Sequence, residues 1–251
     1  ALAARGGPLS CARMSVAQRV LVTGGGRGRG RANALRAACE GAHVAVAART
    51  ASEVERVARE VDAAGGQGLA LVMDVTDLDS VQRGLATALA AFDETLDVLV
   101  NNAGVFSIQP FAELSPATWY RTLAINLTGP FHVTLLALRG LERSARAHVF
   151  NVNSVAGRQP FPGNAAYCAA KYGLRGLTDV LRLDLAAAGI RVSSVYPAAT
   201  DTPIWDAIPG DWPRAAMNRP ADVAEVVWNA WQAPPEADVS DLDVPRRATR
   251  A

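Results

Sequence analysis

A hydroxyl, a phenol and an ammonium lie close together in the stretch SVAGRQPFPGNAAYCAAK, which runs from Ser154 to Lys171. If the segment after Asn164 is helical, Tyr167 and Lys171 stand at i and i+4 on one face, near enough for the ammonium to act on the phenol. A phenol ionises near pH ~10, so bringing it to neutrality requires about three units, or roughly 4 kcal/mol, of preference for the phenolate. A nearby fixed cation supplies part of that. The pair then reads as an acid/base; the alternative is a solvated helix cation beside a surface tyrosine. Cation usage bears on the choice, because the 25 Lys and Arg residues include a single Lys, Lys171. In a chain that otherwise uses Arg, one compact ammonium marks a position that a planar guanidinium does not serve.

Positioning these groups requires a frame, and the chain supplies one as alternating strand and helix patterns. Arg19 to Thr23 is a short apolar run that leads into TGGGRGRG, followed by a helical pattern from Ala32 to Cys39. Strand, Gly-rich turn and helix form the setting in which backbone N–H groups cradle a phosphate, although a tight turn alone would look the same. The spacing is Gly24-x-x-x-Gly28-x-Gly30, not the usual dinucleotide fingerprint. His43 to Ala48 reads as a second strand, followed by a helix opened by Ser52-x-x-Glu55, a capping-box pattern. Where an acid would hold a ribose 2′-hydroxyl, this chain has Ala48 and Arg49, with Arg27 in the turn. Arginines suit a 2′-phosphate, which favours NADP(H) over NAD(H).

Further strands are expected at Gly68 to Met73, Leu96 to Val100, His148 to Asn153, Ile190 to Val195 and Val239 to Val244. Asp74 ends the third, placed to meet an adenine edge or to cap the turn, and Thr76-x-x-Asp79 opens the next helix. The fourth runs into Asn101-Asn102-Ala103-Gly104, small and amide residues that let a ligand approach the backbone. Ser115-Pro116 starts a helix that extends to about Arg143 and holds Asn126, either a buried amide needing partners or a surface one. Leu174, Leu177, Leu181 and Leu185 stripe the helix from Ala165, which Gly189 stops. Residues 198–218 carry Ile204, Trp205, Trp212 and Met217 among Gly and Pro, a lid with an apolar inner face. With Phe106 and Phe161, Ile204, Trp205 and Trp212 are the expected substrate-pocket residues. Pro220 opens a last helix to about Trp231. The whole implies an α/β fold: a single-domain Rossmann fold, a doubly wound parallel sheet of about seven strands with helices on both faces.

Composition excludes several classes. Net charge is +1 with no basic block, which argues against nucleic acid or an anionic membrane surface. No apolar run approaches the ~18 residues that span a bilayer. Cys11, Cys39 and Cys168 are odd in number and lack metal spacing, and His43, His132 and His148 lie far apart. Neither a disulfide framework nor a structural metal is expected, and a reducing, cytoplasmic setting follows. Residues 1–16 lack periodicity and are expected to be a disordered extension, with Met14 a candidate start; 17–245 form the domain and 246–251 a tail.

These spaced motifs together resemble the classical short-chain dehydrogenase/reductase family over about residues 17 to 245. The match comprises Thr23-Gly24-x-x-x-Gly28-x-Gly30, Asp74-Val75, Asn101-Asn102-Ala103-Gly104, Asn126, Ser154, Tyr167-x-x-x-Lys171, Pro197 and Thr202. The resemblance implies that Tyr167 exchanges a proton with the substrate oxygen and that Ser154 hydrogen-bonds that oxygen. It also implies that Lys171 lowers the Tyr pKa and binds the nicotinamide ribose, while Asn126 positions a relay water. NADP(H), through Arg49, and a small carbonyl or secondary alcohol would be the reactants, in a homodimer or homotetramer built through the helices of Asn126 and Tyr167. A 3-oxoacyl thioester reductase and a non-catalytic NADP(H)-binding regulator are the alternatives. Two positions depart from the pattern: Arg29 stands where the family has an aliphatic residue, and Ala198 where it has Gly.

Overall fold

The computed structural model describes residues 17–237 and 239–245; the expected N-terminal extension and C-terminal tail lie outside the described residues. Seven strands form one parallel sheet: β1 (Arg19–Thr23), β2 (His43–Ala48), β3 (Gln67–Val72), β4 (Val98–Asn101), β5 (His148–Val152), β6 (Arg191–Pro197) and β7 (Asp241–Val244). Their order is β3-β2-β1-β4-β5-β6-β7, so the direction of winding reverses between β1 and β4. Ligands bind in such sheets beyond the carboxyl ends of the strands, at that reversal.

Side-chain alternation along each strand sorts the core into two layers. Val20 and Val22 of β1 face one side with Val44, Val98 and Phe150, and Leu21 faces the other with Leu71, Leu99 and Val149. The first layer is covered by α1 (Gly28–Ala38), α2 (Ala51–Ala63) and α7 (Pro220–Gln232), through Ala34, Val57, Val227 and Trp231. The second is covered by α3 (Leu78–Ala91) and α5 (Gly129–Leu141), through Leu85, Val133 and Leu141. Strands buried on both faces need the near-continuous apolar runs seen in the sequence. No helix among the described residues is long and apolar enough to cross a membrane.

Several local expectations shift. The Ser52/Glu55 capping box does not form: α2 starts at Ala51 after Thr50, whose side chain makes no cap bond. Asp77, not Thr76, caps α3, accepting from the N–H groups of Asp79 and Ser80. The helix expected to begin at Ala32 begins at Gly28, directly on the turn. Ser115 does cap α4 (Pro116–Leu123), taking the N–H of Thr118. The long helix onward to Leu141 is interrupted by a π-helical turn at Ala124–Thr128, which holds Asn126. Such turns widen the helix by one residue and are frequent at functional sites.

Thr23 joins the two strands at the reversal. Its Oγ1 accepts from the N–H groups of Asn102 and Ala103, each at 3.0 Å, and donates to the Val100 carbonyl at 3.4 Å. Asn102 returns the contact by donating from Nδ2 to the Thr23 carbonyl at 2.9 Å and the Gly24 carbonyl at 3.2 Å. Thr23→Val keeps the shape and removes the acceptor from two N–H groups. We expect it to lower unfolding free energy by about 2 kcal/mol in urea titration; a change within ~0.5 kcal/mol would show the link to be unimportant.

Candidate active site

The turn after β1 lies against the loop after β4 because its glycines leave no side-chain volume. Gly24 has φ +61°, and a Cβ there would meet the Ala103 Cα at 2.8 Å. A Cβ on Gly30 would fall on the Gly24 carbonyl, which is how the turn and α1 close on one another. The resulting cleft, of about 230 Å³, brings together Gly24, Arg27, Gly28, Arg29, Arg49, Asp74, Val75, Asn102, Ala103, Gly104, Thr202 and Ile204 of the expected site residues. Thr23 and Gly30 build the cleft from beneath and do not line it. Pro197 is buried at the end of β6. Asp74 takes the turn-capping role, its Oδ1 accepting from Thr76 N and Oγ1 at 2.9 and 2.8 Å.

Glu53 and Arg56 were not singled out in the sequence. Glu53 lines the cleft below Gly26, and Arg56 donates to the Gly26 carbonyl at 2.9 Å. A helix placed against a Gly-rich turn is the only signal that could have found them. The cleft is lined by the cations Arg27 and Arg49, with the acids Glu53 and Asp74, the latter engaged by Thr76.

Asn126 is fully buried, and its amide joins the π-helical turn to the loop beyond Gly104. Nδ2 donates to the Val105 and Thr122 carbonyls, both at 3.0 Å, and Oδ1 accepts from Val105 N at 3.3 Å. A second amide, Asn153, fixes the serine to the next helix. Its Oδ1 accepts from Ser154 N at 2.9 Å, and its Nδ2 donates to the carbonyl of Lys171 at 3.2 Å in α6 (Ala165–Asp184).

On α6, Tyr167 and Lys171 share one face as the i, i+4 spacing requires, with Lys171 Nζ 5.7 Å from the centre of the Tyr ring. The Ser154 hydroxyl accepts from Ala156 N at 3.1 Å and lies near enough to the Tyr167 phenol to act on its ionisation. Lys171 is buried and donates to the Val152 carbonyl at 2.8 Å. Burial, and then the charge of Arg29, lower its pKa to about 7. Burial raises that of Tyr167, against the opposing effects of Arg29 and Ser154. In the free protein the cation felt most by the phenol is therefore Arg29, whereas the sequence pointed to Lys171.

Aromatic side chains extend outward from Tyr167. Phe106 packs edge-on against it at 4.9 Å, Trp205 against Phe106 at 5.4 Å, and Trp212 against Trp205 at 4.9 Å. Phe161 lies exposed before α6 and has no place in this cluster. The 198–218 segment is closed at its base by a bridge between Thr200 and Asn218, and Arg214 ties its interior by bonding Asp206 and the Thr202 carbonyl. No metal-holding group of His, Cys, Asp or Glu occurs among the described residues.

A phenol one helical turn from a buried ammonium, with a glycine-walled cleft at the sheet reversal, is an arrangement suited to dinucleotide-dependent oxidoreduction. The short chain dehydrogenase family model matches residues 18–211, and the chain belongs to that family. It is 32% identical over 230 residues to a sepiapterin reductase of Chlorobaculum tepidum, covering 89% of this chain and 93% of that one. It is 35% identical over 218 residues to a trans-4-hydroxycyclohexanecarboxylate dehydrogenase of Sinomonas cyclohexanicum, covering 84% and 83%. A metagenomic short-chain oxidoreductase solved with NADP superposes with a TM-score of 0.81 at 32% identity, covering 94% of this chain and all of that one.

The lowered Lys171 pKa has a measurable consequence. Between about pH 7 and ~10 the unfolded chain holds the Lys proton and the folded chain does not, so stability rises with pH. Lys171→Met should flatten that rise in urea titrations of the free protein between pH 7 and 9.5. An identical slope in both proteins would mean that Lys171 keeps an ordinary pKa.

Proposed function

We propose that this chain is an NADP(H)-dependent oxidoreductase that interconverts a small carbonyl and a secondary alcohol, with Tyr167 as general acid/base. The observation that carries the reading is the Tyr167 phenol, near Ser154 and set one helical turn from the buried Lys171. The walls at Gly24 and Gly30, where no side chain fits, support binding of a dinucleotide. Arg49, directly after Ala48, and Arg27 in the turn support a 2′-phosphate there, which guanidinium groups bind with charge-assisted bonds. When bound, the nicotinamide supplies or accepts the hydride.

The protein's part is proton delivery and alignment. Ser154 holds the substrate oxygen beside the phenol. Tyr167 gives that oxygen its proton in reduction and removes it in oxidation. Lys171, once charged, favours the phenolate so formed. Asn126 shapes the loop beside the site, and a water held at the π-helical turn would return the proton. Phe106, Trp205 and Trp212 offer an aromatic wall of mutually inclined rings on which an apolar substrate body could pack. Two relatives are named for ring compounds, a pterin and a cyclohexanecarboxylate. Exposed Phe131 and Leu135 on α5, with Val180 and Leu183 on α6, support assembly of copies through these helices. Free Cys39 and Cys168 suit a reducing, cytoplasmic setting.

Tyr167→Phe should abolish NADPH oxidation with any carbonyl accepted by the wild type, while NADPH still quenches or enhances fluorescence on binding. Equal turnover by the variant would remove the mechanism. Arg49→Asp should shift the ratio of NADPH to NADH dissociation constants at least tenfold towards NADH, about 1.4 kcal/mol; an unchanged ratio would place the 2′-phosphate elsewhere.

A further inference from the structure

Beyond Ser154 the chain makes a 3-10 turn, Val155–Gly157, and then presents Arg158 to the far edge of the sheet. The turn is built around the serine: Ser154 Oγ accepts from Ala156 N at 3.1 Å, and the Ser154 carbonyl accepts from Gly157 N at 2.9 Å. Arg158 ties it to two strands. Its Cζ lies 3.6 Å from the centre of the Tyr196 ring, which is buried at the end of β6 directly before Pro197. Its Nη2 donates to Asp241 at 2.7 Å and its Nη1 to Asp243, both on β7. Asp241 also accepts from Arg182 of α6 at 3.4 Å, so one carboxylate joins the turn of Ser154 to the helix of Tyr167.

Acids on an edge strand commonly do no more than keep it from pairing with another chain, and a partly exposed ion pair contributes little by itself. Here Asp241 and Asp243 stand two residues apart on one face of β7, and the guanidinium meets both while its flat side rests on a ring. A planar fork held in plane and in direction fixes the backbone that carries it, as a single flexible pair does not. We propose that Arg158 is a positioning residue that holds the turn bearing Ser154 against β6 and β7, so that the last strand of the sheet sets where the serine hydroxyl stands relative to Tyr167. The catalytic part of the proposal rests on the oxidoreductase reading. Arg158 touches no reacting atom and acts through the hydroxyl. Displacing by about 1 Å a group that orients a substrate can lower turnover roughly a hundredfold.

The test reads the turn and the reaction separately. Hydrogen exchange of the 154–164 segment is followed by mass spectrometry in the wild type, Arg158→Leu and Asp243→Asn, the last a change on an exposed side chain that decides alone if Arg158→Leu fails to fold. Exchange in that segment should quicken about tenfold in Arg158→Leu and less in Asp243→Asn, with β1 to β4 unchanged. Unchanged exchange in the turn overturns the proposal. NADPH-dependent reduction of cyclohexanone and 4-oxocyclohexanecarboxylate is then measured in the same proteins, in Arg158→Lys, and in Arg158→Leu combined with Ser154→Ala. In Arg158→Leu, kcat should fall about ten- to a hundredfold with the NADPH dissociation constant unchanged, and Arg158→Lys should recover part of it. Arg158→Leu should cause no further fall below the residual rate of Ser154→Ala. A wild-type kcat in Arg158→Leu, or an equal further loss without the serine, also overturns the proposal, since the effect would not pass through Ser154. Faster exchange with neither ketone reduced by the wild type leaves the Arg158 clamp standing and removes the oxidoreductase, whereas reduction with an unmoved turn does the reverse.

Discussion

Lys171 places an ammonium inside the protein with one carbonyl, that of Val152, as its hydrogen-bond partner and no carboxylate acting on it. Removing a charge from water without a counter-ion is costly, and the group responds by losing its proton more easily, near pH 7. Nothing in folding alone favours that arrangement, since a methionine would fill the volume without the penalty. An ammonium poised near neutrality beside a phenol can change charge when its surroundings change. That Arg, used elsewhere throughout the chain, does not stand here follows from the same chemistry: a guanidinium keeps its proton.

The frame around this pair is held by polar contacts at the carboxyl edge of the sheet. Thr23 and Asn102 join β1 to β4, and Asn101 donates to Asn151 across β4 and β5 at 2.9 Å. Asn151 donates to Thr178 of α6 at 2.9 Å, while Asn101 also donates to Thr134 of α5 at 2.9 Å. Asn153 then links Ser154 to the turn of α6 that bears Lys171. Asn101, Asn151 and Asn153 are buried, so each of their bonds broken would leave a polar group unsatisfied. Ser154 and the helix that bears Tyr167 are therefore fixed to the same strand ends, which is how residues thirteen positions apart in sequence come near one another.

The fold was largely legible because parallel strands buried on both faces must be apolar throughout, and glycine turns and helix caps mark their ends. Local cap chemistry was less so: Ser52 and Glu55 fit a capping box, yet the chain enters α2 one residue earlier, after Thr50. The π-helical turn at Asn126 has no signature in apolar periodicity, since inserting one residue into a turn changes hydrogen bonds and not composition. The buried Asn101, Asn151 and Asn153 network was invisible for a related reason: a single amide in a strand does not announce its partners. Arg29 could be seen as out of place in the glycine turn. That its charge acts on Tyr167 and Lys171 needed the arrangement in space.

The proposed reaction requires a hydride carrier in the Gly24–Gly30 cleft and a proton donor at Tyr167. Its most direct test follows the hydride. A carbonyl substrate found by screening ring ketones is reduced with NADPH deuterated at both C4 positions, and the alcohol is examined by mass spectrometry and NMR. One deuterium on the carbinol carbon from the wild type, and no labelled alcohol from Tyr167→Phe, is the predicted result. An alcohol formed without deuterium at that carbon, or formed equally by the variant, would contradict it.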